Sequence, residues 1–338
     1  MQVSVEISVV MSVYNAEKYL REAIVSVLNQ SFTNFEFIIV NDGSSDSSLD
    51  ILHSFSDKRM VIVNNESNKG LIYSLNLGIQ LAKGKYLARM DADDICLPER
   101  FKMQYEFMEI NPLIGVLGSS YYSFTTHSSK LHLAYSGSDR IKSFLLFSAT
   151  FCHPSLFFRK SVILDNDCHF SAEAKHAEDY DLWTRLAFLT EFENLPIPLL
   201  KYRQHAGQVS KEFSSFQENI SNRIRKNYLL RLGFVFTEEQ LRIHQFISIN
   251  KKITNRSELL DVQQWLLNLV QQNKQKNIFQ HDLFNSAIGK MWQDCCGNTS
   301  LGLFAFSTFQ NSDLKKYGEH HAFAHLKLMA KCIIRFLK

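Results

Sequence analysis

Glycine and proline are scarce in this 338-residue chain, 13 and 5 of them, which excludes collagen-like repeats and leaves no Gly/Ser- or Pro-rich stretch to serve as a linker. Long apolar runs are missing too: nowhere do 18 apolar residues follow one another, so no membrane-spanning helix is expected. Met1-Gln2-Val3-Ser4-Val5-Glu6 has neither a basic nor an apolar region of the signal-peptide kind. The six cysteines (Cys96, Cys152, Cys168, Cys295, Cys296, Cys332) form no CxxC pair, and free thiols in a reducing cytosol are the simplest reading. No charge excess stands out either: 37 basic against 34 acidic residues leave +3, no electrostatic footprint for nucleic acid. That near-neutrality conceals an asymmetry. Residues 1–210 carry 19 basic and 24 acidic side chains, and residues 211–338 carry 18 and 10, so a net −5 is followed by a net +8.

What is present is an alternation of periods. Ile7–Val13 is a β-branched apolar run of strand length, and Leu20, Ala23, Ile24, Val27 and Leu28 then recur at helical spacing within 16–29. Strands at 35–40, 60–63 and 86–90 are separated by helical patterns around 49–55 and 70–82. This βαβα order implies a mostly parallel, mixed sheet covered by helices. A helix follows Pro98, which sits at an allowed first-turn position. Strands are expected near 114–121 and 155–158, a helix at 180–189 and an extended segment at 196–202. Beyond about residue 211 the periods are helical only: 216–232, 237–249 (opened by the capping-box pair Thr237 and Gln240), 257–272 and 282–295. Two regions are therefore expected, an α/β domain over 1–210 and an all-helical extension over 211–338.

Ligands of such sheets bind beyond the carboxyl ends of the strands. Here those ends carry Tyr14-Asn15, Asn41-Asp42-Gly43, residues 64–70 and Asp91-Ala92-Asp93-Asp94. Three carboxylates within four residues repel one another, which a cation relieves, and hard oxygen donors favour Mg²⁺ or Mn²⁺. If extended geometry persists, Asp91 and Asp93 point to the same side. A solvated turn capping the next helix accounts for the triplet equally well. Glu178-Asp179 is a second acidic pair at a helix start. The helix dipole welcomes acids there, and a general base facing the metal crevice is the functional alternative. Of the 12 histidines, His153 and His205 are singled out, His205 as a metal ligand if the chain returns it to the acids.

Taken in order, these motifs resemble family 2 glycosyltransferases, which have the GT-A fold. The resemblance runs through residues 9–16 (VVMSVYNA), 38–46 (IIVNDGSSD), Asn68-Lys69-Gly70 with Leu75-Asn76-x-Gly78, residues 84–94 (GKYLARMDADD, holding a DXD motif) and Glu178-Asp179 with Tyr180-Asp181-Leu182-Trp183. It implies an inverting transfer of a sugar from a nucleotide-diphosphate donor, UDP-linked by expectation, to a glycan or lipid-linked acceptor in surface polysaccharide assembly. It further implies that Tyr14, Asn15, Asp42, Asn68, Arg89 and Asp91 bind the nucleotide-sugar, Asp42 accepting from the base and Arg89 lying by the nucleoside or diphosphate. Asp93 and His205 would hold Mn²⁺ or Mg²⁺, Asp179 would be the base with Glu178 its alternate, and His153 would lie near the acceptor. Ser12 and Asn41 stand where the family often has Pro and Asp, and no Arg lies near Tyr73 or Leu75.

The alternatives fit less well. A nucleotidyltransferase wants a glycine-rich basic loop after the first strand, where Ser12–Glu17 has none, and a dehalogenase-like phosphatase wants its DxD there. A non-catalytic sugar-nucleotide-binding or scaffold protein has no use for the acids at 93 and 179. The enzyme is expected in the cytoplasm. In residues 321–338, Lys327, Lys331, Arg335 and Lys338 share one helical face opposite Leu326, Met329, Ile333 and Leu337. That helix either docks on the helical region or touches an anionic membrane at its inner face.

Overall fold

The computed structural model describes residues 4–205, 214–318, 326 and 328–332. The chain divides into two compact units: Met1–Ser138 with Thr150–Gln217, and Asp139–Ala149 with Glu218–Lys338.

The first unit is built on a nine-stranded sheet. In β1 (Ile7–Val13) six of seven residues are buried, and in β2 (Phe35–Asn41) all seven are. Such continuous runs are what central parallel strands covered on both faces require. β3 (Met60–Asn64) and β4 (Tyr86–Asp91) flank them, with Val9 beside both Phe37 and Ala88. The intervening helices are α1 (Leu20–Leu28), α2 (Ser48–His53) and α3 (Leu71–Leu81). Leu20, Ala23, Ile24 and Val27 form the buried stripe of α1, as their spacing requires.

Beyond β4 the sheet becomes mixed. β5 (Ile95–Cys96) is followed by α4 (Arg100–Ile110), so Pro98 precedes the helix and its N-cap, Glu99, rather than occupying the first turn. β6 (Ile114–Phe124), β7 (Ser129–His132), α5 (Ser138–Phe144), β8 (Phe157–Arg159), α6 (Lys160–Leu164), α7 (Glu178–Leu186) and β9 (Glu191–Arg203) complete the order. The strands run β3-β2-β1-β4-β8-β6-β9-β5 across the sheet, with β7 beside β6. One antiparallel pair matters for the site: Ile95 lies opposite Lys201, so the end of β9 returns beside the turn that leaves β4.

The second unit holds Asp139–Ala149, α8 (Ser214–Arg231) from Glu218 onward, α9 (Glu238–Ser248), α10 (Arg256–Lys276), α11 (His281–Gly297) and α12 (Leu303–Asn311). The expected capping box is present, with the Thr237 hydroxyl accepting from Gln240 and the Gln240 side chain accepting from the Thr237 amide. The division differs from the expected one at 210/211, because Asp139–Ala149 belongs with the helices. Ile141, Phe144, Leu145, Leu146 and Phe147 are all buried there. Arg225 donates to the Phe147 carbonyl at 2.8 Å and His244 Nε2 to that of Leu146 at 2.7 Å. Most of 321–338 lies outside the described residues, including Lys327, Arg335, Lys338, Ile333 and Leu337. Of the rest, Leu328 and Cys332 are buried while Leu326 and Met329 are exposed, so the buried stripe is offset from the expected one. No helix among the described residues is long and apolar enough to cross a membrane.

His244 is fully buried, and both ring nitrogens are engaged, since Nδ1 accepts from the Trp265 indole at 3.2 Å. Burial pushes its pKa down to about 4. An unfolded imidazole protonates near pH 6.5, so between these values the unfolded state binds more protons and stability falls with pH, by about 1.4 kcal/mol per unit. Replacing His244 by Gln removes that dependence. The urea-unfolding stability advantage of wild type over His244→Gln is expected to shrink by on the order of 2 kcal/mol from pH 6.5 to 4.5; a constant advantage contradicts a buried neutral ring.

Candidate active site

The loops leaving β1 and β2 are laced together. Asn15 adopts a left-handed conformation (φ 48°), its amide donating to Ser44 Oγ at 3.0 Å and its Oδ1 accepting from the Ser45 amide at 2.9 Å. Ala16 donates to Ser48 Oγ, Glu17 donates to Asp46, and the Glu17 carboxylate accepts from the Ser47 amide. Asn15 is thus a scaffold residue, whereas its neighbour Tyr14 is 50% exposed at the strand exit.

Asp42 organises the third loop. It is buried, and its Oδ1 accepts from Asn65 Nδ2 (2.7 Å) and the Lys69 amide (2.9 Å) while Oδ2 accepts from Gly70 (2.8 Å). Three of about four lone-pair sites are occupied, leaving one on Oδ2 for a ligand. Gly43 beside it has φ 68°, and a Cβ there would stand 2.6 Å from the Ser67 carbonyl carbon, so only glycine lets the two loops approach. Asn68 is exposed, and its Oδ1 accepts from the Gly70 amide.

The acids meet at the end of β4. The strand stops at Asp91, so a turn, not extended alternation, brings Asp91, Asp93 and Asp94 together, with ligand oxygens all within 4.8 Å of one another. Arg89 lies beneath them, 5% exposed, its Nη1 paired with Asp91 Oδ2. Two residues before the exit of an inner strand, Arg89 is a buried counter-ion to the acid turn. Burial alone would lower its pKa, but Asp91, then Asp94 and Asp93, outweigh this and raise it. Burial likewise raises Asp91, against the pull of Arg89 and with further push from Asp93 and Asp179. Asp94 is raised well above the carboxylate range by burial and by Asp91 and Asp93. Its Oδ1 accepts from the Arg203 amide at 2.8 Å, and its Oδ2 is buried without a hydrogen-bond partner among the described residues.

β9 delivers His205 to this turn. His205 Nε2 stands 2.9 Å from Asp93 Oδ2 across 112 residues, and its ring packs 5.1 Å from that of Tyr19. Arg203 Nε donates to the Asp93 carbonyl at 2.7 Å, while its guanidinium lies over the rings of Tyr19 and Phe124.

Glu178 and Asp179 open α7, as expected. Both are raised first by burial, Glu178 to about 7 with Asp179 contributing; the Arg89 charge pulls each down. The Tyr180 amide donates to Asp179 Oδ1 at 2.7 Å. The Asp179 charge acts on Asp91, and the Arg89 charge acts on Asp179, so the two acidic groups lie within electrostatic reach of each other. His153 is brought there as well. Its Nε2 is buried without a hydrogen-bond partner among the described residues, its ring lies 5.6 Å from Phe170 and 6.0 Å from Trp183, and burial with the Arg89 charge holds its pKa well below the usual value.

Two arginines escape sequence reading. Arg203 had a signal, the Tyr-Arg-x-His setting. Arg100 is completely buried and holds the carbonyls of Arg89 (2.8 Å) and Leu156 (3.0 Å), with Gln104 one turn on holding that of Ser155. Its only signal is an arginine on the apolar face of α4.

Oxygen-rich acids clustered with one imidazole beside a sheet's carboxyl edge make a site suited to a hard cation and a ligand held at that edge. Residues 8–166 match the family model described as Glycosyl transferase family 2. A Haemophilus influenzae protein described as an uncharacterized glycosyltransferase is 34% identical over 245 residues, 67% of this chain and 75% of that protein. The Escherichia coli O-antigen biosynthesis glycosyltransferase WbnJ is 33% identical over 229 residues, 65% of this chain and 88% of WbnJ. Among solved structures, Staphylococcus aureus TarS 1–349 in complex with UDP-GlcNAc superposes with a TM-score of 0.58 at 18% identity, covering 92% of this chain and 89% of that one. The chain belongs to glycosyltransferase family 2, with a mixed sheet of the GT-A type.

Removing the buried cation tests the electrostatics. Arg89→Met is expected to lower stability by about 3 kcal/mol at pH 7. The loss should be smaller at pH 4, where protonated acids no longer need a counter-ion, and in the Arg89→Met/Asp91→Asn double variant. Urea midpoints measure it, and an Arg89→Met protein as stable as wild type rules out the counter-ion role.

Proposed function

We propose that the enzyme is an inverting glycosyltransferase that moves a sugar from a nucleotide-diphosphate donor, UDP-linked, to a hydroxyl of a glycan or lipid-linked acceptor in surface polysaccharide biosynthesis. The observation that carries this is the acid turn of Asp91, Asp93 and Asp94, with His205 against Asp93, over one buried arginine whose charge also reaches Glu178 and Asp179. The names of the relatives support the pathway class: WbnJ in O-antigen biosynthesis and Erwinia amylovora AmsE in amylovoran biosynthesis, 34% identical over 211 residues. TarS holding UDP-GlcNAc on this fold supports a UDP-linked donor. A lipid-linked acceptor puts the enzyme at the inner face of the plasma membrane.

The acid turn fits a hard divalent ion, Mn²⁺ or Mg²⁺. Its donors are carboxylate oxygens that repel one another, one Asp94 oxygen is buried and unpaired, and His205 adds a nitrogen. Asp93 and His205 would hold the ion. When bound, it supplies positive charge against the leaving diphosphate.

The protein's own groups do the rest. Tyr14 offers a ring for the base to stack on, Asp42 keeps one lone pair for it, and Asn68 borders the same loop. Arg89 favours the ionised form of Asp91 and orients it toward the donor. The acceptor oxygen forms its bond to the anomeric carbon from the face opposite the departing diphosphate, whose C–O bond breaks with the electron pair. Asp179 takes the acceptor's proton. Asp179 suits this role better than Glu178, being less buried and having its Oδ1 held in place by the Tyr180 amide. His153 borders the acceptor.

Asp179→Asn is expected to lower transfer by about 10²-fold or more while leaving donor binding, measured by calorimetry with UDP, unchanged. Normal transfer by the folded variant would remove the base assignment. Asp93→Asn is expected to abolish both transfer and the Mn²⁺-dependent part of the melting shift in a sugar-nucleotide screen. An unaltered Mn²⁺ response refutes the metal assignment, and no response of wild type to any sugar nucleotide refutes the donor class.

A further inference from the structure

Residues 165–177 join α6 to α7 and contain only a short 3₁₀ turn, Ala172–Ala174. This segment leads directly into Glu178 and Asp179, yet no strand pairing holds it. A long-range anchor with matched donor and acceptor comes from α3. Asn76 Nδ2 donates to the Phe170 carbonyl at 2.9 Å, and the Phe170 amide donates to Asn76 Oδ1 at 3.0 Å, across 94 residues. A carboxamide is the side-chain group that carries a donor and an acceptor side by side, so Asn76 pairs with Phe170 as a neighbouring strand would.

From that anchor a relay of short-range bonds reaches the acids. Ala174 donates to the Ser171 carbonyl, Ala177 to that of Ala174, and Asp181 to that of Ala177. His176, in a left-handed conformation (φ 70°), turns the chain into α7. Phe170 is buried against His153, which in turn packs on Trp183 of α7. On the other side, Arg185 Nη2 reaches the His169 carbonyl while its Nε holds Asp181 at 2.9 Å. α3 itself begins at Gly70, whose amide donates to Asp42. The donor-side loop and the base-bearing segment are thus tied to the same short helix.

We infer that Asn76 is a positioning residue that sets Asp179 relative to the donor through Phe170. The inference rests on Asp179 being the base. Asn76→Asp tests it with little change of volume, since the carboxylate keeps the acceptor for Phe170 but sets an oxygen against its carbonyl; Asn76→Ala removes both bonds. Turnover is read as nucleoside-diphosphate release from a panel of UDP-, GDP- and dTDP-linked hexoses, and segment order as amide exchange by mass spectrometry on the full chain. Both variants are expected to lose about 10-fold or more in kcat with the donor KM within about twofold, and to exchange faster in 165–181 but not in β1–β4. Unchanged kcat, or a raised donor KM at unchanged kcat, overturns the proposal. Normal turnover by Asp179→Asn is a separate failure, that of the base assignment, while the exchange result still decides whether Asn76 holds the segment.

Discussion

One buried cation organises this molecule's chemistry. Arg89 sits on an inner strand, below the exit, with Asp91 paired to it and Asp93, Asp94, Glu178 and Asp179 all within reach of its charge. An arginine in that position is expensive to desolvate unless acids surround it, and clustered acids are expensive unless a cation does. Each therefore makes the other tolerable, and the surplus of carboxylate over guanidinium is what suits the turn to the divalent ion proposed for it. Stability and function draw on the same charges. Burial, and after it the Arg89 charge, hold the His153 imidazole pKa well below the usual value, so that ring adds little repulsion to Arg89.

Around that centre the sheet supplies directions and the loops supply stiffness. Four parallel strands end on one edge, and their exits are joined by side chains: Asn15 to Ser44 and Ser45, Glu17 to Ser47, Asp42 to Asn65, Lys69 and Gly70. Several residues that resemble ligand contacts in sequence thus have a second occupation in holding neighbouring loops. The two are compatible, because a preorganised loop loses less freedom when a nucleotide arrives. The mixed half of the sheet has a different task. By running β9 antiparallel to β5 it brings Arg203 and His205 back to the acid turn from more than a hundred residues away.

Much of this was legible in the chain. The strands and helices of the first 110 residues follow from apolar runs of strand length alternating with helical spacing, and Thr237 and Gln240 mark the start of α9. The acid triplet and the Glu178-Asp179 pair announce themselves by charge density. Less was visible where packing decides. Asp139–Ala149 lies inside the stretch expected to belong to the α/β domain, and only the partners of the Leu146 and Phe147 carbonyls show why it joins the helical unit. The burial of Arg89 and Arg100 is not visible either, because charge is written in the sequence and depth is not.

The sequence by itself determined the element order, the two-region composition, the family and the acids proposed to carry the chemistry, since period, charge and local motif spacing are properties of neighbours along the chain. Only the tertiary structure decided which acid faces which cation, that a turn rather than an extended strand gathers Asp91, Asp93 and Asp94, and that Asn76 holds Phe170. Those are pairings between residues far apart in the chain, and their geometry exists only after the sheet has closed the distance.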